Sequence, residues 1–273
     1  MKQSIFEITE NREIARNTLR LGLRGDTSAV TAPGQFVNIR LEGLFLRRPI
    51  SVCDAQGDLL TLIYKPAGEG TRRMAKMQPG ERLDLLTGLG NGFDPSDAGR
   101  RPLLVGGGAG AAPMLMLARV LAGEGASVTA VLGFGTAEEI YLQEELKALG
   151  IRTVIATADG SAGVRGFVTD AMKALADGSL PEEPASFRSA GAELRPDRAP
   201  AFTGLYCCGP EPMLRAVYQT SGIMGLGGQF SFERRMGCGF GACMGCSCRT
   251  ITGYKRICRE GPVLRREEIL WED

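Results

Sequence analysis

The sequence contains no histidine. That absence removes Ser-His-Asp hydrolysis, imidazole proton shuttling, Rieske-type ligation and haem held by a proximal His from the chemistries open to it. An excess of charge of either sign is also missing, with 32 Lys and Arg against 31 Asp and Glu, so neither nucleic acid nor an anionic membrane surface is an expected ligand. Long apolar runs are missing too: Gly or a charged residue breaks each one well short of the roughly 18 residues needed to span a bilayer. Met1 to Glu7 alternate apolar and polar residues as a strand does, with no apolar core and cleavage site behind them. No export signal is expected, and the chain reads as cytoplasmic.

What the sequence does have is cysteine. Of 8 Cys, five (Cys238, Cys243, Cys246, Cys248 and Cys258) fall in the last 36 residues. In a chain without an export signal such clustering points to metal or redox chemistry before structural disulfides. Cys53, Cys207 and Cys208 lie far away and read as small core residues.

A length of 273 residues suits two compact units and a small appendage. Residues 1–98 read as short strands separated by turns (Ile5 to Thr9, Ile14 to Leu21, Gln35 to Leu41, Pro49 to Cys53, Leu59 to Lys65, Arg82 to Leu86), the pattern of an antiparallel barrel. Over 99–226 strands alternate with helices, beginning at Leu103-Leu104-Val105 and ending with the strand Gly204 to Cys208 and a helix from Glu211. Alternation of this kind predicts a parallel sheet wound on both faces. The stretch Asp177 to Pro200, rich in Pro, Ser and charge, reads as a surface loop. Residues 227–273 form a Gly- and Cys-dense segment, too irregular from Ser231 onward for a core element and suited to wrapping a cofactor. The fold class expected is thus α+β and multidomain.

Within that segment Cys238, Cys243 and Cys246 follow Cys-x₄-Cys-x₂-Cys, and Cys258 comes after eleven further residues. This is plant-type [2Fe-2S] spacing. Four thiolates must reach two irons from a short loop, and Gly239, Gly241 and Gly245 give the backbone freedom to fold back between them. A Cys₄ zinc site is the alternative, although zinc more often uses two short Cys-x₂₋₄-Cys knuckles. Cys248 lies where a strand would aim it along the face of Cys246; it reads as a small, partly buried thiol.

Two nucleotide signals precede the cysteines. Arg48-Pro49-Ile50-Ser51 offers an Arg for a pyrophosphate and a hydroxyl for a flavin ring edge, and Gly70-Thr71 stands where a helix expected to begin at Arg72 would present unpaired amides to phosphate. Tyr64, in the strand Leu62-Ile63-Tyr64-Lys65, suits either an isoalloxazine or the barrel interior. Gly106, Gly108 and Ala111 fit G-x-G-x-x-A between a strand and a helix, which indicates a nucleotide but not which one. No acidic residue follows the second strand directly, although Glu138 and Glu139 are near.

Taken in order with Cys208-Gly209-Pro210-Glu211-Pro212-Met213, these motifs resemble the ferredoxin reductase superfamily. Cys-Gly-Phe-Gly-Ala-Cys-Met-Gly-Cys, followed by Tyr254 to Val263, is similar to the electron-transfer subunits of NAD-dependent dihydroorotate dehydrogenases. The resemblance covers nearly the whole chain. It implies FAD contacts at Arg48, Pro49, Ile50, Ser51, Ile63, Tyr64, Lys65, Gly70 and Thr71, and cluster ligands at Cys238, Cys243, Cys246 and Cys258, with Cys248 not a ligand. It further implies NAD as electron acceptor and an FMN-bearing catalytic partner, two of each chain, in pyrimidine biosynthesis. The base for dihydroorotate would lie in that partner and no catalytic residue in this chain. The other readings are a sister subunit exchanging electrons between NADPH and ferredoxin, and a zinc-stabilised nucleotide-binding module.

Overall fold

The computed structural model describes residues 1–180 and 202–271. Six strands, β1 (Lys2–Ala15), β2 (Thr18–Arg24), β3 (Phe36–Arg40), β4 (Arg48–Gln56), β5 (Leu59–Tyr64) and β6 (Arg82–Leu89), close into a barrel in the order β1-β2-β5-β4-β3-β6. Phe6, Leu21, Val37, Leu60, Leu62 and Leu85 fill its interior. Closure leaves no strand edge open. The first strand is longer than expected. Glu10 to Glu13, which the sequence suggests as a break, stays inside β1, and the chain turns only at Asn17. The polar run survives in a strand because Asn11 is needed there. Its amide donates to the Met74 and Met77 carbonyls, both at 2.8 Å, and its side-chain oxygen accepts from the Tyr64 hydroxyl at 3.1 Å. Bulges on either side of it absorb the register.

The helix after β5, α1, spans Glu69–Met74 and begins three residues before the expected start. Gly68 is extended, and the Thr71 hydroxyl both accepts from its amide (3.1 Å) and donates to its carbonyl (3.2 Å). Gly70 and Thr71 therefore form the first turn itself.

The second unit is a sheet of seven strands: β7 (Pro102–Gly107), β8 (Thr129–Phe134), β9 (Arg152–Thr157), β10 (Val164–Arg165), β11 (Gly204–Cys208), β12 (Gly228–Ser231) and β15 (Val263–Arg265). Their order is β10-β9-β8-β7-β11-β12-β15, parallel up to the last pair, where β15 runs antiparallel to β12. All of β7 is buried, as expected of a parallel strand covered on both faces. The helices α2 (Met114–Gly123), α3 (Gln143–Ala148), α4 (Val168–Ala176) and α5 (Glu211–Ile223) accompany it. The loop expected over Asp177 to Pro200 lies, from 181 onward, outside the described residues.

Beyond Ser231 the structure is more regular than the sequence suggests. A hairpin of β13 (Ser247–Thr250) and β14 (Gly253–Arg256) follows the cysteine triplet, and β15 returns to the sheet. Strands this short carry too little periodicity to be read. Among the described residues no helix is long and apolar enough to cross a membrane.

Candidate functional site

The four cysteines of the expected ligand set stand in two pairs. Cys238 and Cys243 belong to the tight loop before the hairpin, the latter exposed, while Cys246 and Cys258 are buried. The Cys238 sulfur accepts from the Ala242 and Cys243 amides at 3.3 and 3.4 Å, and the Cys243 sulfur from the Cys238 amide at 3.4 Å. The Cys258 amide reaches the Cys246 sulfur at 3.4 Å. Backbone dipoles thus already point at sulfur, the arrangement that favours thiolate. For Cys238 burial works against ionisation, but the amides of Phe240, Cys243 and Ala242 outweigh it and bring the thiol down to about 6. Burial and the adjacent Cys246 push Cys258 up to about 12. Among the described residues no three His, Cys, Asp or Glu side chains close round a single ion.

The loop has a brace. Arg256 donates to the Gly241 carbonyl at 2.7 Å and pairs with Glu260, whose carboxylate also accepts from the Arg256 amide at 2.8 Å. Gly241 has φ +93°, and a Cβ there would lie 2.7 Å from Arg259, so the turn needs glycine. Cys248 lies half-buried, lining a cavity with Phe232 and Trp271.

The flavin-type motif opens β4. Arg48 to Ser51 are half-buried, and Arg48 lies over the first turn of α1, where a Cβ on Gly70 would come within 2.2 Å of its Nε. Arg48, Gly70 and Thr71, 22 and 23 positions apart in sequence, are thereby brought together. Arg48 also donates to the carbonyls of Leu46 and, at 3.4 Å, Arg47. Tyr64 fills the barrel interior at 2% exposure, one of its two possible roles. Ile63 packs instead with the core of the nucleotide unit. Lys65 pairs with Glu139 at 2.9 Å, and Arg16 with Glu138 at 3.0 Å. These two carboxylates, the nearest acidic groups to the second strand, tie the barrel to the sheet.

At the carboxyl end of β7 the Gly-rich turn fits the geometry of close packing. Gly106 faces Ala111, whose Cα would be 2.7 Å from an added Cβ, and Gly108 has φ +53°. Sequence reasoning missed two neighbours. A Cβ on Gly107 would meet the Met213 sulfur at 2.2 Å, and one on Gly110 would meet the Cys208 carbonyl at 2.3 Å. The turn therefore packs on Cys208 to Met213, making one continuous glycine surface at the ends of β7 and β11, where open α/β sheets bind ligands. The Tyr141 hydroxyl donates to the Gly108 carbonyl at 2.6 Å. Cys53 and Cys207 are fully buried; Cys208, at the strand end, is pushed up to about 12 by burial despite a hydrogen bond with Ser231. These thiols are protonated and unreactive at neutral pH.

Comparison with known proteins agrees with this layout. Residues 233–270 match the iron-sulfur cluster binding domain of dihydroorotate dehydrogenase B, and residues 104–219 an oxidoreductase NAD-binding domain. The dihydroorotate dehydrogenase B (NAD(+)) electron transfer subunit of Geobacillus sp. (strain WCH70) is 40% identical over 281 aligned positions, covering 99% of both chains. Its counterpart in Fusobacterium nucleatum is 36% identical, covering 98% of this chain and 99% of that one. Among solved structures, the NADH-dependent reduced ferredoxin-NADP oxidoreductase superposes with a TM-score of 0.79 at 28% identity, over 97% of this chain and 90% of that one. The ferredoxin NADP+ reductase of Neisseria gonorrhoeae, with bound FAD and NADP, shares the fold at a TM-score of 0.67 and 21% identity, over 86% of this chain and 94% of that one. A barrel, a doubly wound sheet and a braced four-cysteine segment, matched end to end at this identity, place the chain in the family of dihydroorotate dehydrogenase B electron transfer subunits.

Proposed function

We propose that this chain passes electrons from the FMN of a dihydroorotate dehydrogenase catalytic subunit, through a [2Fe-2S] cluster and FAD, to NAD⁺. The observation that carries the reading is the preformed cysteine loop: four sulfurs in two pairs, with backbone amides on the Cys238, Cys243 and Cys246 sulfurs and the Arg256–Glu260 brace on one side. Two pairs suit a binuclear centre, whereas a lone zinc wants four ligands around one point. The donors fit the group, and Cys238, Cys243, Cys246 and Cys258 are assigned as its ligands. When bound, the cluster carries single electrons, while FAD collects two and exchanges a hydride with nicotinamide.

The rest of the division of labour belongs to the chain's own residues. Arg48 offers a permanent positive charge to a pyrophosphate beside the first turn of α1, where the missing side chain of Gly70 lets the Arg48 side chain lie against the backbone. Pro49, Ile50 and Ser51 offer the wall of β4, and Ile63 to Lys65 that of β5. Gly106, Gly108 and Ala111, with Gly107 and Gly110, offer backbone to a dinucleotide. Residues 1–98, 99–226 and 227–273 would serve FAD, NAD and the cluster in turn, the last also lending β12 and β15 to the sheet. Phe240 and Met244, exposed at 44% and 55% on the cysteine loop, present an apolar edge to the catalytic partner. A complex with two copies of each chain, in the cytoplasm, completes the reading.

The test is reconstitution with NAD⁺ as acceptor. This chain by itself should oxidise NADH with an artificial acceptor and leave dihydroorotate untouched. Dihydroorotate-dependent NADH formation should appear when the purified FMN-bearing chain is added. Formation of NADH from dihydroorotate without that chain would sink the reading. No gain on mixing, with NADPH and ferredoxin active instead, would favour exchange of the kind named for the solved relative that superposes at a TM-score of 0.79.

A further inference from the structure

We propose that Asn38 is a positioning residue for electron passage within this chain, fastening the loop that carries Cys238 to the strand pair that carries the flavin motif. The inference rests on the assignment above of Cys238 to the cluster and of Arg48 to Ser51 to FAD. Asn38 lies in the middle of β3 in the run Phe36-Val37-Asn38-Ile39 and is 1% exposed. Its side-chain amide donates at 3.1 Å to the carbonyl of Cys238, 200 positions further along the chain. Its other polar atom, Oδ1, is buried and has no partner.

The surroundings are built to hold that amide still. In the β3–β4 ladder Asn38 stands opposite Pro49, which has no N–H to offer. The Asn38 carbonyl is instead met by Arg47 at 3.3 Å, and Arg47 is itself held by Asp84 through two bonds of 3.0 and 3.1 Å. From the other side, Gly239 is buried with φ +77°, and a Cβ there would lie 2.2 Å from the Asn38 amide nitrogen. Any larger residue would collide with the Asn38 side chain and disturb its bond to the loop. The loop residue next to a proposed ligand and the strand residue facing the flavin motif are therefore shaped for one another.

Stability does not explain the choice of residue. One buried hydrogen bond adds little net stability once both partners have been taken from water, so an apolar side chain of similar shape would serve the strand nearly as well. What the amide provides is a directional tie of one cofactor segment to another, of the kind by which residues behind the ligands orient a metal site.

The experiment uses the holo-chain with FAD and cluster bound, as wild type, Asn38→Leu, Asn38→Asp and Gly239→Ala. Flavin and iron per chain, melting temperature, the EPR spectrum of the reduced cluster and the rate at which NADH-reduced flavin passes an electron to the cluster are measured for each. Asn38→Leu should keep flavin and melt within a few degrees of wild type, the loss of one hydrogen bond being small on the scale of the chain, yet reduce its cluster about tenfold more slowly or worse, with a shifted or broadened EPR signal. Asn38→Asp, which sets a carboxylate against the Cys238 carbonyl, should lose iron, and Gly239→Ala should repeat the slowing from the loop side. Rates within about twofold of wild type and unchanged EPR in both Asn38→Leu and Gly239→Ala would overturn the inference, since ligand-orienting residues typically matter far more than that. A fall in melting temperature for Asn38→Leu that matches its loss of rate would overturn it too, by making the residue structural. Wild-type protein lacking iron or flavin would strike down the underlying assignment instead, a result seen before any variant is compared.

Discussion

Cys248 and Cys246 are two residues apart, and the structure separates them. Cys246 is buried beside Cys258, whereas Cys248 is half-buried along the hairpin, where it lines a cavity with Trp271. Cys246→Ser is expected to lose the cluster signal, and Cys248→Ser to keep both iron and the EPR spectrum of the reduced protein; metal analysis and EPR on the two variants check this. Arg48→Ala would remove the charge-assisted contact to pyrophosphate proposed above, worth about 1.5–3 kcal/mol. It should raise the dissociation constant for FAD by about tenfold or more while leaving iron content unchanged, measured by flavin release on dilution. Glu260 is held down at about 2, chiefly by its side-chain bonds to Arg256. A carboxylate with a depressed native value contributes stability above its unfolded value and loses it as pH falls toward the native one. Glu260→Gln should therefore melt below wild type at pH 7, and the gap should close between about pH 4.5 and pH 2. Thermal scans across that range decide it. At this scale the cysteines and Arg48 stand out in the sequence because the chemistry proposed for them demands those residue types at those spacings, and the structure brings Arg48 to Gly70 and the cysteines into two pairs. The role of Asn38 was not legible: one polar residue in an apolar strand is visible, but its partner sits 200 positions away.

Among the elements, the Gly-rich turn gives the sharpest test. Gly110 approaches the Cys208 carbonyl so closely that an added Cβ would lie at 2.3 Å, and backbone cannot swing aside as a side chain can. Gly110→Ala should cost about 1–3 kcal/mol of stability and weaken NADH binding more than FAD binding, read from the melting temperature and from titration with each nucleotide. The motif G-x-G-x-x-A reported Gly106, Gly108 and Ala111 from sequence, yet Gly107 and Gly110 are as tightly placed as Gly106, because they face α5 and β11 rather than their own helix. Periodicity found the central strands and the long helices for the same local reason. It failed at β1, where Asn11 serves the end of α1, and at β13 to β15, whose lengths of three or four residues hold no recognisable period.

On the scale of the molecule, the barrel and the sheet are joined through the linker after β6. Gln229, 3% exposed on β12, accepts from the Asp94 amide at 2.8 Å and donates to the Asp94 carbonyl and the Asp97 carboxylate at 2.9 and 3.0 Å. Gln229→Leu takes the acceptor from the Asp94 amide, while the Asp94 carbonyl keeps Tyr206 and the Asp97 carboxylate keeps Arg265, and should cost about 1–3 kcal/mol; calorimetry should show a lowered or split transition as the two units begin to unfold separately. None of this could be read ahead, since an ordinary Gln carries no mark of the partner it will meet. Because β12 and β15 are neighbours in the sheet, residues 232–262 leave it and come back to it with their two ends only about 5 Å apart. The iron-bearing part is thus a cassette plugged into an existing edge, and a cassette with adjoining terminals can be lengthened, trimmed or exchanged for one suited to another electron donor without redesigning the flavin and nicotinamide machinery it serves.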